Sequence, residues 1–242
     1  MKSLPVLVLL FVVAAALAIY GPIMTPDGYF DFVDKRLILG IPNFGDVVSN
    51  VPFLPVGLLG VYLTRRYARG ATVNSAYMTA LVGLFASVAA VALGSGYFHL
   101  SPGELRISLD RLPIAIAAGC LFSALAIERL GLSRMQGYIL LIGAIALSII
   151  SVIVSWQSGD LRLYLFCQLA PILGGLLLIT VYRLDRPGIT ATRVILMIGL
   201  YGVAKATEVY DQEIYETLLV VSGHNLKHLF AAAAAVCAFP RH

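Results

Sequence analysis

Apolar runs alternating with short polar connections set the pattern of this chain. Eight runs stand out: Leu4 to Tyr20, Val47 to Leu63, Tyr77 to Phe98, Leu112 to Ile127, Met135 to Trp156, Leu161 to Tyr182, Ile189 to Ala206 and His224 to Phe239. A hydrocarbon layer about 30 Å thick takes about 20 helical residues at a rise of about 1.5 Å each. Each run therefore predicts a spanning helix, the fourth and eighth being the shortest. The fold class this implies is an all-α integral membrane protein. No long linker or internal repeat divides it, so one membrane domain, residues 21–242, follows an N-terminal apolar segment at residues 1–20.

Composition agrees with the pattern. Of the 242 residues 60% are hydrophobic and 12% charged, about half the charge of a soluble domain. That balance excludes a disordered chain, a disulfide scaffold and a soluble two-domain enzyme. Cys120, Cys167 and Cys237 each lie inside an apolar run and read as packing residues. The net charge of +4 belongs to the connections and carries no expectation of nucleic-acid binding.

The connections sort by charge. With the N-terminus cytoplasmic, one face receives Lys2, Arg65, Arg66, Arg69, Arg129, Arg134, Arg183, Arg186, Arg193 and Arg241. The other holds Asp27, Asp31, Asp34, Glu104, Asp160, Glu208, Asp211, Glu213 and Glu216. The positive-inside rule then puts both termini in the cytoplasm. Lys2, the first apolar run and the small residues Ala14 to Ala18 also fit a cleavable secretory signal, although the length of the run favours a retained span. Cleavage would leave the later topology unchanged. Short loops and the lack of a retrieval signal fit a bacterial inner membrane, with the acidic face periplasmic. Tyr20, Tyr77, Trp156, Tyr182 and Tyr210, near span ends, read as interfacial anchors.

Ionisable groups within spans need a reason, and here they share the acidic face. Ser95 and His99 are four residues apart at the end of the third span, and Asp110 opens the fourth. His224 and His228 are again one helical turn apart at the start of the last. Two such imidazoles bind one metal ion, and a third from another helix completes a three-nitrogen zinc site with an open fourth position. Zinc there makes hydroxide available near neutrality, Asp110 can act as general base, and Ser95 can bond the water or the developing oxyanion. The bland alternatives stay open: His99 as an interfacial residue, Ser95 as helix packing, Asp110 as a cap or a partner of Arg111. H-x-x-x-H alone is a weak motif.

Taken in order, Asp46-Val47-Val48-Ser49-Asn50, Gly94-Ser95-Gly96-Tyr97-Phe98-His99, Leu109-Asp110-Arg111-Leu112-Pro113 and His224-Asn225-Leu226-Lys227-His228 resemble the motifs of the alkaline ceramidases. These are seven-helix membrane hydrolases in a group that includes adiponectin and progestin receptor relatives. The resemblance implies a seven-transmembrane-helix core with the N-terminal segment additional to it. It implies zinc on His99, His224 and His228, with Ser95 and Asp110 beside the activated water, and hydrolysis of the ceramide amide to a sphingoid base and a fatty acid. Arg111 stands where the family has Glu, and Lys227 where it has Trp. The resemblance also extends, more loosely, to a calcium site at Asp31, Asp34 and Asn43, followed by Asp46, with Arg36 where a neutral or acidic ligand is expected. A solvated acidic loop capping the second helix through Asp46 explains the same residues.

Lys205, Glu208 and Asp211 end the seventh span, with Lys205 and Glu208 spaced to pair, while Ser49 and Asn50 read as hydrogen-bond bridges between helices. There is no phosphate loop, dinucleotide fingerprint or G-x-S-x-G elbow. The leading expectation is a zinc-dependent amidase acting on ceramide or another N-acyl membrane lipid. The alternatives are a receptor-like or metal-sensing protein with structural zinc, and a zinc-dependent lipid esterase or phospholipase.

Overall fold

The computed structural model describes residues 3–69, 74–184 and 188–240. Lys2, Arg186, Arg241 and His242 lie outside these residues. The described residues form an all-α structure. Its elements are α1 (Leu4–Tyr20), α2 (Phe44–Val48), α3 (Phe53–Ala68), α4 (Ser75–Leu100), α5 (Glu104–Leu130), α6 (Arg134–Ser158), α7 (Arg162–Val181), α8 (Ala191–Val209), α9 (Asp211–Leu218) and α10 (Gly223–Val236).

Five stretches among the described residues are long and apolar enough to cross a bilayer: Phe44–Ala68, which joins α2 to α3, and helices α4, α5, α6 and α7. By length and composition this is a multi-pass membrane protein. The α1 helix is shorter, at 17 residues. The surface supports the same conclusion, since apolar side chains point outward. Ile139 and Ile142 on α6 are 64% and 66% exposed, while Ser148, Ser151 and Ser155 on the same helix are buried. A lipid solvent favours that inversion, because each buried hydroxyl bonds a backbone carbonyl and no unsatisfied group meets hydrocarbon.

Neighbouring helices run α3, α4, α5, α7, α8, α10 and back to α3, forming a ring. The α6 helix packs outside on α5 and α7, and α1 packs on α7. Small residues bring the ring members close. A Cβ at Gly57 would collide with the Phe85 carbonyl and the Ala89 backbone, so α3 rests directly on α4. Cys120, Cys167 and Cys237 are free and buried, as packing residues are.

Two sequence expectations are corrected. Hydropathy places the start of the fourth span at Leu112, but α5 begins eight residues earlier, at Glu104. Arg106, Asp110 and Arg111 interrupt the apolar run without interrupting helical hydrogen bonding, so Asp110 lies in the second turn and does not open the helix. Tyr77 is 3% exposed, and so belongs to the core and not to an interfacial belt. Its hydroxyl packs where Gly188 leaves room, on the inner side of α4.

Candidate metal centre

The site forms where α4 ends and α5 and α10 begin. Pro113 has no N–H, so the Leu109 carbonyl one turn earlier loses its helical partner. Gly94 packs against that carbonyl, which a Cβ there would approach to 2.5 Å. The close approach sets the Ser95 hydroxyl beside the Asp110 carboxyl. Asp110 Oδ1 is left buried with no partner among the described residues. One turn beyond Ser95, on the same face of α4, stands His99.

The α10 helix is started by a capping box in which the Ser222 hydroxyl accepts from Asn225 N–H and the Asn225 side chain accepts from Ser222 N–H. Gly223 permits contact with the end of α8 and the start of α9, where a Cβ would meet the Thr207 carbonyl and Asp211 backbone. The His224 N–H donates to Asp211 Oδ1 at 2.6 Å, fixing the first turn. His224 and His228 then face His99. All three are buried, and one nitrogen from each lies within 4.8 Å of the others.

The geometry suits a metal. The Nε2 atoms of His99 and His224 are 3.2 Å apart, close to the roughly 3.3 Å that separates two nitrogens on a tetrahedral zinc at about 2.0–2.1 Å. Ser49 Oγ lies 3.2 Å from the Asp46 carbonyl and 2.8 Å from His228 Nδ1. In the tautomer whose Nδ1–H donates to this hydroxyl, the ring lone pair is on Nε2. Outer-shell bonds of this kind orient ligating imidazoles. His99 is held by aromatic packing, with the rings of Phe32 and Phe98 at 4.7 and 4.8 Å.

Phe32 also lies 4.5 Å from the His224 ring, so it roofs two of the three imidazoles. It also lines a cavity of about 470 Å³ with Lys35, Tyr215 and Leu219. Asn43 sits in the left-handed region at φ 48°, and its amide donates to the His99 carbonyl at 2.7 Å, satisfying one of the last carbonyls of α4. Asp46 accepts from the Asn225 amide at 2.6 Å, linking α2 to α10.

The residues expected to hold calcium are not brought together as a ligand set. Both carboxylate oxygens of Asp34 are taken by the Arg36 guanidinium, at 2.7 and 2.6 Å, and Oδ2 also accepts Gly45 N–H. The cation facing Asp34 is thus an arginine of the same loop. Asp31 is exposed beside Lys35, and Asn43 spends its amide on His99. Burial pushes the Asp34 carboxyl up, but the hydrogen bonds and charge of Arg36 outweigh it and hold the group below the usual carboxylate range.

Sequence spacing paired Lys205 with Glu208 and read Ser49 and Asn50 as bridges between helices, but gave Lys227 and Phe32 no role. Lys227 Nζ is 3.1 Å from His224 Nε2 and 2.8 Å from Glu208 Oε1, while Lys205 takes Glu208 Oε2 at 2.6 Å. Ser49 bridges to α10, whereas Asn50 donates to the Asp46 carbonyl of its own segment. Phe32 carries no signal in its local pattern, and only the fold brings it over the histidines. Compared with known proteins, the chain matches no family model and no curated relative.

Proposed function

We propose that this protein is a zinc-dependent intramembrane amidase of the alkaline ceramidase kind. It would hydrolyse the N-acyl bond of ceramide or a related N-acyl lipid to a fatty acid and an amine. The observation that supports this most strongly is the convergence of three buried imidazoles from α4 and α10, with Asp110 one turn away through Ser95. The donor set of neutral nitrogens suits zinc. When bound, zinc supplies Lewis acidity and acidifies water to a pKa of about 7.

The chain's own groups supply the rest. Ser95 lies beside Asp110 and is placed to position its carboxyl group. Asp110 Oδ1, with no partner, accepts a proton from water as the oxygen bonds to the acyl carbon. The carbon–nitrogen bond then breaks and Asp110 passes that proton to the departing amine. Phe32 and Phe98 pack on the His99 ring, and the outward apolar faces let an acyl chain approach from the bilayer.

In the same reading seven helices form the catalytic core and α1 is peripheral. The C-terminus is cytoplasmic and the site faces the periplasm of a bacterial inner membrane. Asp110 and Arg129 lie on one helix, 19 positions apart, or about 28 Å, so the site and the arginine-bearing connection occupy opposite ends.

The test is mass spectrometry of detergent-purified, zinc-loaded protein incubated with ceramides, N-acyl amino acids, N-acylethanolamines and phospholipids. Equimolar fatty acid and amine from an amide class, lost with chelator and in His224→Ala, is the expected result. No release from folded, zinc-loaded protein contradicts the proposal, and release from phospholipids alone replaces the amidase with an esterase.

A further inference from the structure

We propose that Lys227 recognises an anionic group on the amine side of the substrate, so that the lipid cleaved carries a carboxylate or comparable anion beside its amide. The inference rests on the hydrolase reading above and names the substrate class for that site.

Lys227 is the ammonium nearest the imidazoles, 3.1 Å from His224 Nε2, the nitrogen that also faces His99. An ammonium in that position is repelled by any dication the imidazoles hold, unless an anion lies between the two charges. The one acid paired with it is shared: Glu208 gives one oxygen to Lys227 and the other to Lys205. The other nearby acids, Asp46, Asp110 and Asp211, are in none of the ion pairs among the described residues; Asp46 takes the Asn225 amide and Asp211 the His224 N–H. A second cation follows Asp110 in sequence. The Arg111 guanidinium lies 5.7 and 5.3 Å from the ring centres of Tyr29 and Tyr164, and none of the ion pairs among the described residues includes it.

Position selects the amine side. An acyl chain is drawn to the apolar faces of the ring, which leaves the head of the lipid at the polar end. There Lys227 is still 21% exposed and Lys205 55% exposed. A carboxylate one or two bonds from the amide nitrogen would reach the ammonium while the carbonyl reaches the histidines.

The probes are N-dodecanoylglycine and N-dodecanoylethanolamine, which share the acyl chain and differ in the anion. Binding to detergent-solubilised protein by calorimetry and kcat/KM by product release are measured for wild type, Lys227→Gln and Lys227→Arg. Each variant's zinc content is checked at one per chain. Wild type is expected to prefer the glycine compound at least tenfold in both readouts. Lys227→Gln brings the ratio to near one, mainly through KM, and Lys227→Arg restores much of it. A role in stabilising the reacting oxygen would instead lower kcat for both probes together and leave the ratio standing. An equal preference in wild type, or a ratio unmoved by Lys227→Gln, overturns the proposal. Turnover of both probes without preference keeps the hydrolase and removes the anion site. Preferential binding without any turnover keeps the anion site and removes the hydrolase.

Discussion

The two ends of the helix ring both bury polar groups, and they use them differently. At the arginine end, side chains hold backbone. Arg129 donates to the carbonyls of Tyr182 and Ile189, and Glu128 accepts the Gly188 N–H at 2.6 Å. These bonds staple the connection between α7 and α8 to the end of α5. At the histidine end, side chains meet side chains from several helices: His99 with His224, His228 with Ser49, Asn225 with Asp46, and Lys227 with Glu208. The difference separates a cluster that holds backbone in place from one that could hold a metal ion. Stapling fixes a connection between helices, whereas the other end gathers three buried imidazoles from two helices within 4.8 Å of one another.

Substitutions at the two ends should therefore fail in different ways. Asp110→Asn should lower amide hydrolysis by about 10²–10⁴-fold, the range for loss of a general base, while bound zinc stays at wild-type stoichiometry. Zinc lost together with activity would make Asp110 a ligand. Arg129→Ala should leave zinc content and kcat in place but destabilise the protein by about 2–3 kcal/mol, since buried carbonyls lose a charged donor. Thermal unfolding in detergent reads this out, and a selective loss of kcat would break the contrast between the ends. Ser49→Ala should weaken zinc binding about 10–100-fold by freeing the His228 ring, as outer-shell removals do. Competition with a chelator of known affinity measures it.

Much of the histidine end is legible in the sequence because it depends on helical spacing. His224 and His228 lie one turn apart, as do Ser95 and His99, and each pair falls at the end of an apolar run. The contacts between elements leave no comparable trace. Phe32 is one aromatic in a loop, and its place over the imidazoles depends on how residues 21–43 fold back. The same loop turns an expected calcium site into an arginine clamp, because Arg36 is close enough in sequence to reach both oxygens of Asp34. The start of α5 was hidden for another reason. Hydropathy reads Arg106, Asp110 and Arg111 as the edge of a span, but the helix continues through them, with Arg111 buried and Arg106 lying over the Tyr97 ring. Tyr77 shows the reverse case, since a tyrosine at a span end fits an interface or a core until packing decides.

The smallest effect belongs to the clamp. Asp34 has a folded pKa below its unfolded value of about 3.9, so its contribution is fully present above that value and lost as pH falls through the lower one. Hydrogen exchange across residues 27–43 should accordingly quicken only below about pH 4. Asp34→Asn should remove that pH-dependent step. Quickening between pH 5 and 6 would mean that another group governs the loop.

The most direct test of the central claim is metal analysis by plasma mass spectrometry of wild type, His99→Ala, His224→Ala and His228→Ala, each purified folded and equilibrated with excess zinc before desalting. One zinc per chain in wild type and its loss in each variant is the expected result. Wild-type protein without bound metal, or a variant set that retains one zinc per chain, would contradict a centre built from these three histidines.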